Sequence, residues 1–278
     1  MVPNLGFDAY SPREIAERVQ GLCVAKSETP LLSLAMLGML AGAFIGLGSM
    51  FYVVVVSDPT LGFAASRVAG GVAFSLGLIL VVVAGAELFT GNNLLAMAWA
   101  HGCMSTRDVL HNWTAVCAAN FAGAVGLASL VFLSGHAEMN GGAVGRTYLA
   151  IAAAKSELPF WTAFFRGVMC NVLVCMAIWM TLAGRSVVDK IVAIVMPISA
   201  FVAAGFEHSI ANMYFLPLGM MLGAAAGQPV SVAWLWTNLV PVIAGNIVGG
   251  SVLVALVYYV IYRRPARVGS QQGKSELP

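Results

Sequence analysis

Hydrophobic and polar positions divide the chain into long apolar runs with few charges, separated by short polar ones. A bilayer core of about 30 Å takes roughly 20 apolar residues per helix, so the runs can be counted as crossings. They fall at about 31–57, 65–100, 110–134, 159–183, 187–226 and 233–262. From Ser209 to Tyr262 there is no Asp, Glu, Lys, Arg or His, which only lipid or a large protein interior tolerates. The pattern predicts an all-α integral membrane protein with six transmembrane helices. The second and fifth runs are too long for one straight crossing, and each carries a polar cluster near its middle. These clusters, Glu87-Leu-Phe-Thr-Gly-Asn-Asn93 and Glu207-His-Ser-Ile-Ala-Asn212, predict that helices 2 and 5 are broken.

The two breaks belong to an internal repeat. Gly85-x-Glu87-x4-Asn92 in the second run recurs as Gly205-x-Glu207-x4-Asn212 in the fifth, and Asn112-x7-Asn120-x2-Gly123 in the third recurs as Asn238-x7-Asn246-x2-Gly249 in the sixth. Two patterns in the same order imply two related three-helix halves. An odd number of crossings per half turns the second half upside down relative to the first, the plan in which broken helices meet near the bilayer midplane and present their ends to a solute. Unwound backbone at that depth is costly unless it lines a cavity or bonds polar side chains. Thr90, Asn92, Asn93, Ser209 and Asn212 are the local partners on offer.

Composition agrees with this class. Hydrophobic residues make up 60% of 278 positions and charged residues 9%, against roughly 25% charged in soluble domains. The net charge of +2 and the lack of a basic run with interleaved aromatics argue against nucleic acid. The five cysteines, Cys23, Cys103, Cys117, Cys170 and Cys175, show neither disulfide nor metal spacing. Residues 1–30 read as a polar, cytoplasmic N-terminal segment with a short amphipathic helix and without the apolar stretch of a cleaved signal peptide, 31–262 as the membrane domain, and 263–278 as a polar cytoplasmic tail. With both termini inside, the inner segments hold ten cations: Arg13, Arg18, Lys26, Arg107, Arg185, Lys190, Arg263, Arg264, Arg267 and Lys274. The outer loops hold Arg67, Arg146 and Lys155, and Arg166 lies at a helix end, so the charge bias sets the orientation.

Ionisable residues inside a membrane point to function. Glu87, Glu207 and His208 therefore stand out, although the glutamates have an equally good reading as caps that accept backbone N–H bonds at the breaks. Histidine is the side chain whose proton moves near neutral pH. His208 is expected to act with the matching Thr90 across the breaks. Two rival classes have weaker support. A neutral-solute channel would carry paired Asn-Pro-Ala motifs or two histidines at one depth. A metal hydrolase would need clustered ligands, whereas His101, His111 and His136 sit at span ends or in loops.

The stretches Gly71-Val-Ala-Phe-Ser-Leu-Gly-Leu-Ile-Leu80, Ala86-Glu-Leu-Phe-Thr90, Cys170-Asn-Val-Leu-Val-Cys-Met-Ala-Ile-Trp-Met180, Gly205-Phe-Glu-His-Ser-Ile-Ala-Asn-Met213 and Asn238-Leu-Val-Pro-Val-Ile-Ala-Gly-Asn-Ile-Val-Gly-Gly250 closely resemble the formate/nitrite transporter family. The resemblance implies an aquaporin-like fold, a homopentamer with one pore per protomer in the inner membrane, no enzyme activity and no cofactor. It also implies passage of a small monovalent anion, with formate favoured over nitrite and hydrosulfide. Carried over by residue, it places one hydrophobic constriction at Phe74 and Phe201 and another at Leu78, Leu88, Phe89 and Val174. Thr90 and His208 would face the solute between them, Asn171 and Asn246 would add hydrogen-bond donors, Glu207 would flank the path, and Lys155 would attract anions at the outer vestibule. Ordinary helix packing is the alternative for the Phe, Leu and Val positions.

Overall fold

The structure, a computed structural model, describes residues 9–228 and 231–263. Arg264, Arg267 and Lys274, and with them nearly all of the expected polar tail, lie outside the described residues. The elements run α1 (Pro12–Ser27), α2 (Leu31–Val56), α3 (Phe63–Ile79), α4 (Leu95–Ala100), α5 (Thr106–Leu133), α6 (Ala143–Ser156), α7 (Phe160–Thr181), α8 (Val187–Ala204), α9 (Ser209–Ala225), α10 (Ala233–Ile247) and α11 (Val257–Tyr262). Two π-helical stretches carry helices onward: Leu80–Gly85 extends α3, and Val248–Leu256 joins α10 to α11. Among the described residues, six helices are long and apolar enough to cross a membrane, and there is no strand.

Local chemistry sets the ends of these helices. α5 starts at Thr106, earlier than the apolar run predicts, because Ser105 and Asp108 form a reciprocal cap that satisfies its first N–H groups. α2 and α7 each begin behind a proline, Pro30 and Pro159. Both long runs break where the polar clusters lie. The second continues after Gly85 through a short 3-10 turn, Gly91–Leu94, into α4, and the fifth resumes after Gly205 as α9.

The halves pack alike. In the first, α2 lies against α3 and α5; in the second, α7 lies against α8 and α10. The closing glycine of each Asn-x7-Asn-x2-Gly pattern permits this contact. A Cβ on Gly123 would run into the Met39 carbonyl of α2, and one on Gly249 into the Val168 carbonyl of α7. Large apolar side chains such as Leu133, Val192, Met196 and Trp236 remain on the outside of the bundle, a surface that suits lipid or a neighbouring subunit rather than water.

α1 is capped by Ser11 and Glu14, and the bonds from Ser11 hold the Glu14 carboxyl below its ordinary pKa. Its apolar face, Ile15, Ala16, Val19 and Cys23, is buried in a cluster with α4, Trp179 and Val254. Tyr10 lies between the guanidinium groups of Arg18 and Arg185, 3.4 and 4.1 Å from its ring centre. Arg263 bonds Gln20 and Glu17 at 2.9 and 3.1 Å. The segment before the first span is thereby packed onto the membrane domain, and its last turn carries Lys26 to the first break.

Candidate functional site

Glycine starts each break. Gly85 and Gly205 take φ of +84° and +74°, left-handed backbone that costs other residues roughly 1–2 kcal/mol. The chain beyond them has left its helix, and its polar groups are met from outside. Glu87 N–H donates to the Leu37 carbonyl of α2 at 3.1 Å, and Glu207 N–H donates to the Arg166 carbonyl of α7 at 3.2 Å. Asn120 of α5 accepts from Phe89 N–H at 2.9 Å and donates to the Gly38 and Glu87 carbonyls at 2.7 and 2.8 Å. Asn246 of α10 repeats this in the other half: it accepts from Ser209 N–H at 3.0 Å and donates to the Gly167 and Glu207 carbonyls at 2.8 and 3.1 Å.

The glutamate side chains take part in a second duplicated network. Asn92 donates to Glu87 Oε2 and Asn112 Oδ1 at 2.8 and 2.9 Å; Asn212 donates to Glu207 Oε2 and Asn238 Oδ1, both at 2.7 Å. A lysine completes each. Lys26 Nζ lies 2.8 Å from Glu87 Oε2, and Lys155 Nζ lies 2.9 Å from Glu207 Oε2. Because three crossings separate the halves, the two ion pairs face opposite sides of the bundle.

The chemistry is concentrated where the repeat fails. Aligning Glu87 with Glu207 sets His208 opposite Leu88, and Thr90 opposite Ile210. Thr90 is therefore not the repeat partner of His208, contrary to the sequence expectation, yet the fold brings them together: Thr90 Oγ1 is 3.1 Å from His208 Nε2, with both side chains buried. The backbone N–H of Ala211 donates to His208 Nδ1 at 3.2 Å. A backbone N–H cannot accept, so Nδ1 is unprotonated and the ring proton of the neutral imidazole sits on Nε2. It donates to Thr90, whose own O–H stays free to donate elsewhere.

Aromatic rings close one side of this pair. Phe74 and Phe201 meet edge to face with centres 5.6 Å apart, and Phe201 stacks on the His208 ring at 5.8 Å. Leu78, Leu88, Phe89 and Val174 are buried in the same continuous apolar cluster. A cavity of about 200 Å³ on the α6 side reaches Phe74, Phe201 and His208, and Arg67, Lys155, Arg166 and Glu207 line it. Among the described residues no group of His, Cys, Asp and Glu is arranged to hold a metal ion.

Comparison with known proteins decides the family. The formate/nitrite transporter family model matches residues 13–260. The chain belongs to the formate/nitrite transporter family. Formate channel FocA of Escherichia coli (strain K12) is 37% identical over 274 residues, covering 93% of this chain and 96% of that protein. A probable formate transporter of Methanothermobacter thermautotrophicus is 34% identical over 275 residues, covering 93% and 99%. Among solved structures, a pentameric formate channel with formate bound superposes with a TM-score of 0.77 at 37% identity, covering 84% of this chain and 97% of that one. An ion channel of the same family gives 0.81 at 27%, covering 89% and 98%. This formate/nitrite transporter family member is thus a multi-pass membrane transport protein, and its six helical spans match the sequence expectation.

Within this transporter-family fold, four of the expected site residues have surroundings that the sequence did not foresee. Lys155 is not a free cation, since its ammonium lies on the Glu207 carboxylate. Asn171 Nδ2 donates to the Thr90 and Asn246 carbonyls and to Asn93 Oδ1, at 3.2, 2.7 and 2.7 Å. The Asn246 amide donates to backbone. Both amides therefore spend their donors on the protein. The Glu207 carboxylate accepts from the Asn212 amide and the Lys155 ammonium, side chains rather than the backbone N–H groups expected of a cap. Lys26 was missed altogether. A signal for it existed: Lys26-Ser-Glu-Thr-Pro30 and Lys155-Ser-Glu-Leu-Pro159 are the same motif, each placed immediately before the first span of its half.

Proposed function

We propose that this protein conducts formate across the inner membrane, as one protomer of a homopentamer with both termini cytoplasmic and one path through each protomer. The observation that carries this reading is the buried Thr90–His208 pair at the meeting point of the two breaks. The relatives named above for formate, and the pentameric neighbour with formate bound, support the substrate and the assembly. Nitrite and hydrosulfide are the alternatives within the family.

The geometry suits a small anion. Shedding water between apolar side chains is expensive for a bare charge unless polar groups replace the hydration. On leaving the α6-side cavity, the anion passes between Phe74 and Phe201 and meets the Thr90 hydroxyl, whose O–H is free because its oxygen takes the His208 Nε2–H. The asparagines hold the breaks open behind it, and Leu78, Leu88, Phe89 and Val174 form the second apolar stretch. Proton linkage enters at His208. A second ring proton, on Nδ1, would face the Ala211 N–H, and the negative charge of a bound anion offsets that repulsion. The protonated ring then gives its Nε2 proton to Thr90 Oγ1 as the Thr90 O–H proton passes to the formate oxygen. Neutral formic acid leaves, and the ring, now neutral with its proton on Nδ1 against the Ala211 N–H, returns to the resting form by releasing that proton and taking one up at Nε2.

Proteoliposomes test both parts. Formate is expected to cross faster than nitrite or hydrosulfide under equal gradients, and a faster nitrite flux would reassign the substrate. His208→Asn keeps hydrogen bonding but carries no proton, so it is expected to abolish the pH dependence of formate flux. An Asn variant with the wild-type pH profile would leave His208 a purely structural role.

A further inference from the structure

Three cations and one carboxylate line the α6-side cavity: Arg67, Lys155, Arg166 and Glu207. Lys155 and Glu207 neutralise each other at 2.9 Å, so the remaining charge of the vestibule belongs to the two arginines. Arg67, on α3, is held in place. Its Nε–H donates to the Ala203 carbonyl at 3.0 Å, one of the carbonyls left open where α8 ends. A Cβ on Gly205 would lie 2.8 Å from Arg67 Nη2, so the guanidinium rests directly over the break. Arg166, on α7, is tied to the same break from the other side, because its carbonyl accepts the Glu207 N–H at 3.2 Å. Neither arginine forms an ion pair among the described residues.

We infer that Arg67 and Arg166 form a docking site for a small planar carboxylate, in front of the Phe74–Phe201 constriction. This rests on the reading of the path as an anion path and assigns the capture step to these two residues rather than to Lys155. A guanidinium presents paired N–H donors that match the two oxygens of a carboxylate, and such charge-assisted bonds are stronger than neutral ones. A concave site lined by one sign of charge also raises the local concentration of its counter-ion. Benzoate, a planar carboxylate too bulky for the Phe74–Phe201 constriction, serves as a probe that is expected to dock without passing and to compete with formate.

The test uses Arg67→Gln, Arg166→Gln and the double variant in proteoliposomes, with initial formate flux measured across a concentration series. Each single change is expected to raise the half-saturating formate concentration about five-fold, or ~1 kcal/mol, and the double change to raise it further, while the rate at saturation falls by less than about two-fold. Benzoate inhibition weakens in parallel, and Arg166→Lys recovers part of the loss because it keeps the charge without the planar fork. A double variant with wild-type half-saturation, or equal loss at every concentration, overturns the dock. Carbon-13 formate line broadening on detergent-solubilised protein reads the same site without permeation. If wild-type vesicles pass no formate, the transport reading fails, and the dock stands or falls on this second readout: broadening lost in the double variant supports it, and broadening that is absent or unchanged refutes it.

Discussion

Alanine at Asn246 removes three hydrogen bonds at once, to Ser209 N–H and to the Gly167 and Glu207 carbonyls. The losses are unequal. Gly167 lies inside α7, so its carbonyl keeps its intrahelical bond and gives up only a second partner. Ser209 N–H is one of the open donors at the start of α9, and Glu207 C=O belongs to unwound chain, so both are left buried without a partner. At ~1–3 kcal/mol for each orphaned group, the change costs about 2–6 kcal/mol. Water cannot relieve that cost cheaply, because Asn246 is fully buried among apolar spans. The inverted repeat supplies a replicate: Asn120→Ala orphans Phe89 N–H and Glu87 C=O in the same way and is expected to cost about as much. Thr237→Ala is the control, since that hydroxyl bonds only carbonyls of its own helix. Thermal loss of the monodisperse protein peak, followed by size-exclusion chromatography in detergent, should occur at clearly lower temperature for both asparagine variants than for the control. An Asn246→Ala protein that melts with Thr237→Ala would refute the view that these amides hold the breaks.

Further consequences separate features that the repeat makes look alike. Gly205→Ala should destabilise more than Gly85→Ala in the same melting assay, because both incur left-handed strain but only at Gly205 would the new Cβ displace a neighbour, the Arg67 guanidinium; equal shifts would remove the steric part of the account. Lys155→Gln leaves Glu207 buried and unpaired, at a cost of about 3–5 kcal/mol, so flux should fall at every formate concentration and recover in part when Glu207→Gln is added. A loss confined to low formate would instead return Lys155 to the role of a free attracting cation.

Much of the fold was legible in the chain. Apolar run length reports a crossing because the bilayer makes charge costly along a span, and that is a local property of sequence. The Gly-x-Glu-x4-Asn pattern was legible for the same reason, since the left-handed glycine, the glutamate and the asparagine of each break lie within two helical turns. Asn-x7-Asn-x2-Gly was legible only as a repeat, because Asn120 and Asn246 reach the breaks from α5 and α10, 31 and 37 positions away. Such patterns say that Glu87, Asn92 and Asn120 are tied to a break. They do not say by which bonds: each glutamate is held by an asparagine amide and a lysine ammonium rather than by the backbone N–H groups a cap would use.

Tertiary structure alone decided the chemistry of the site. His208 and Thr90 are 118 positions apart and not equivalent in the repeat, yet they lie in hydrogen-bond contact because the two halves pack against each other in inverted order. Lys26 reaches Glu87 across 61 positions from a helix that reads as a detached cytoplasmic segment. The same packing turns Lys155 from an expected attractor into a neutralised partner and leaves Arg67 and Arg166 as the charge of the vestibule. Charge type is written in the sequence, but whether a charge is paired depends on distances between helices, which no local pattern encodes.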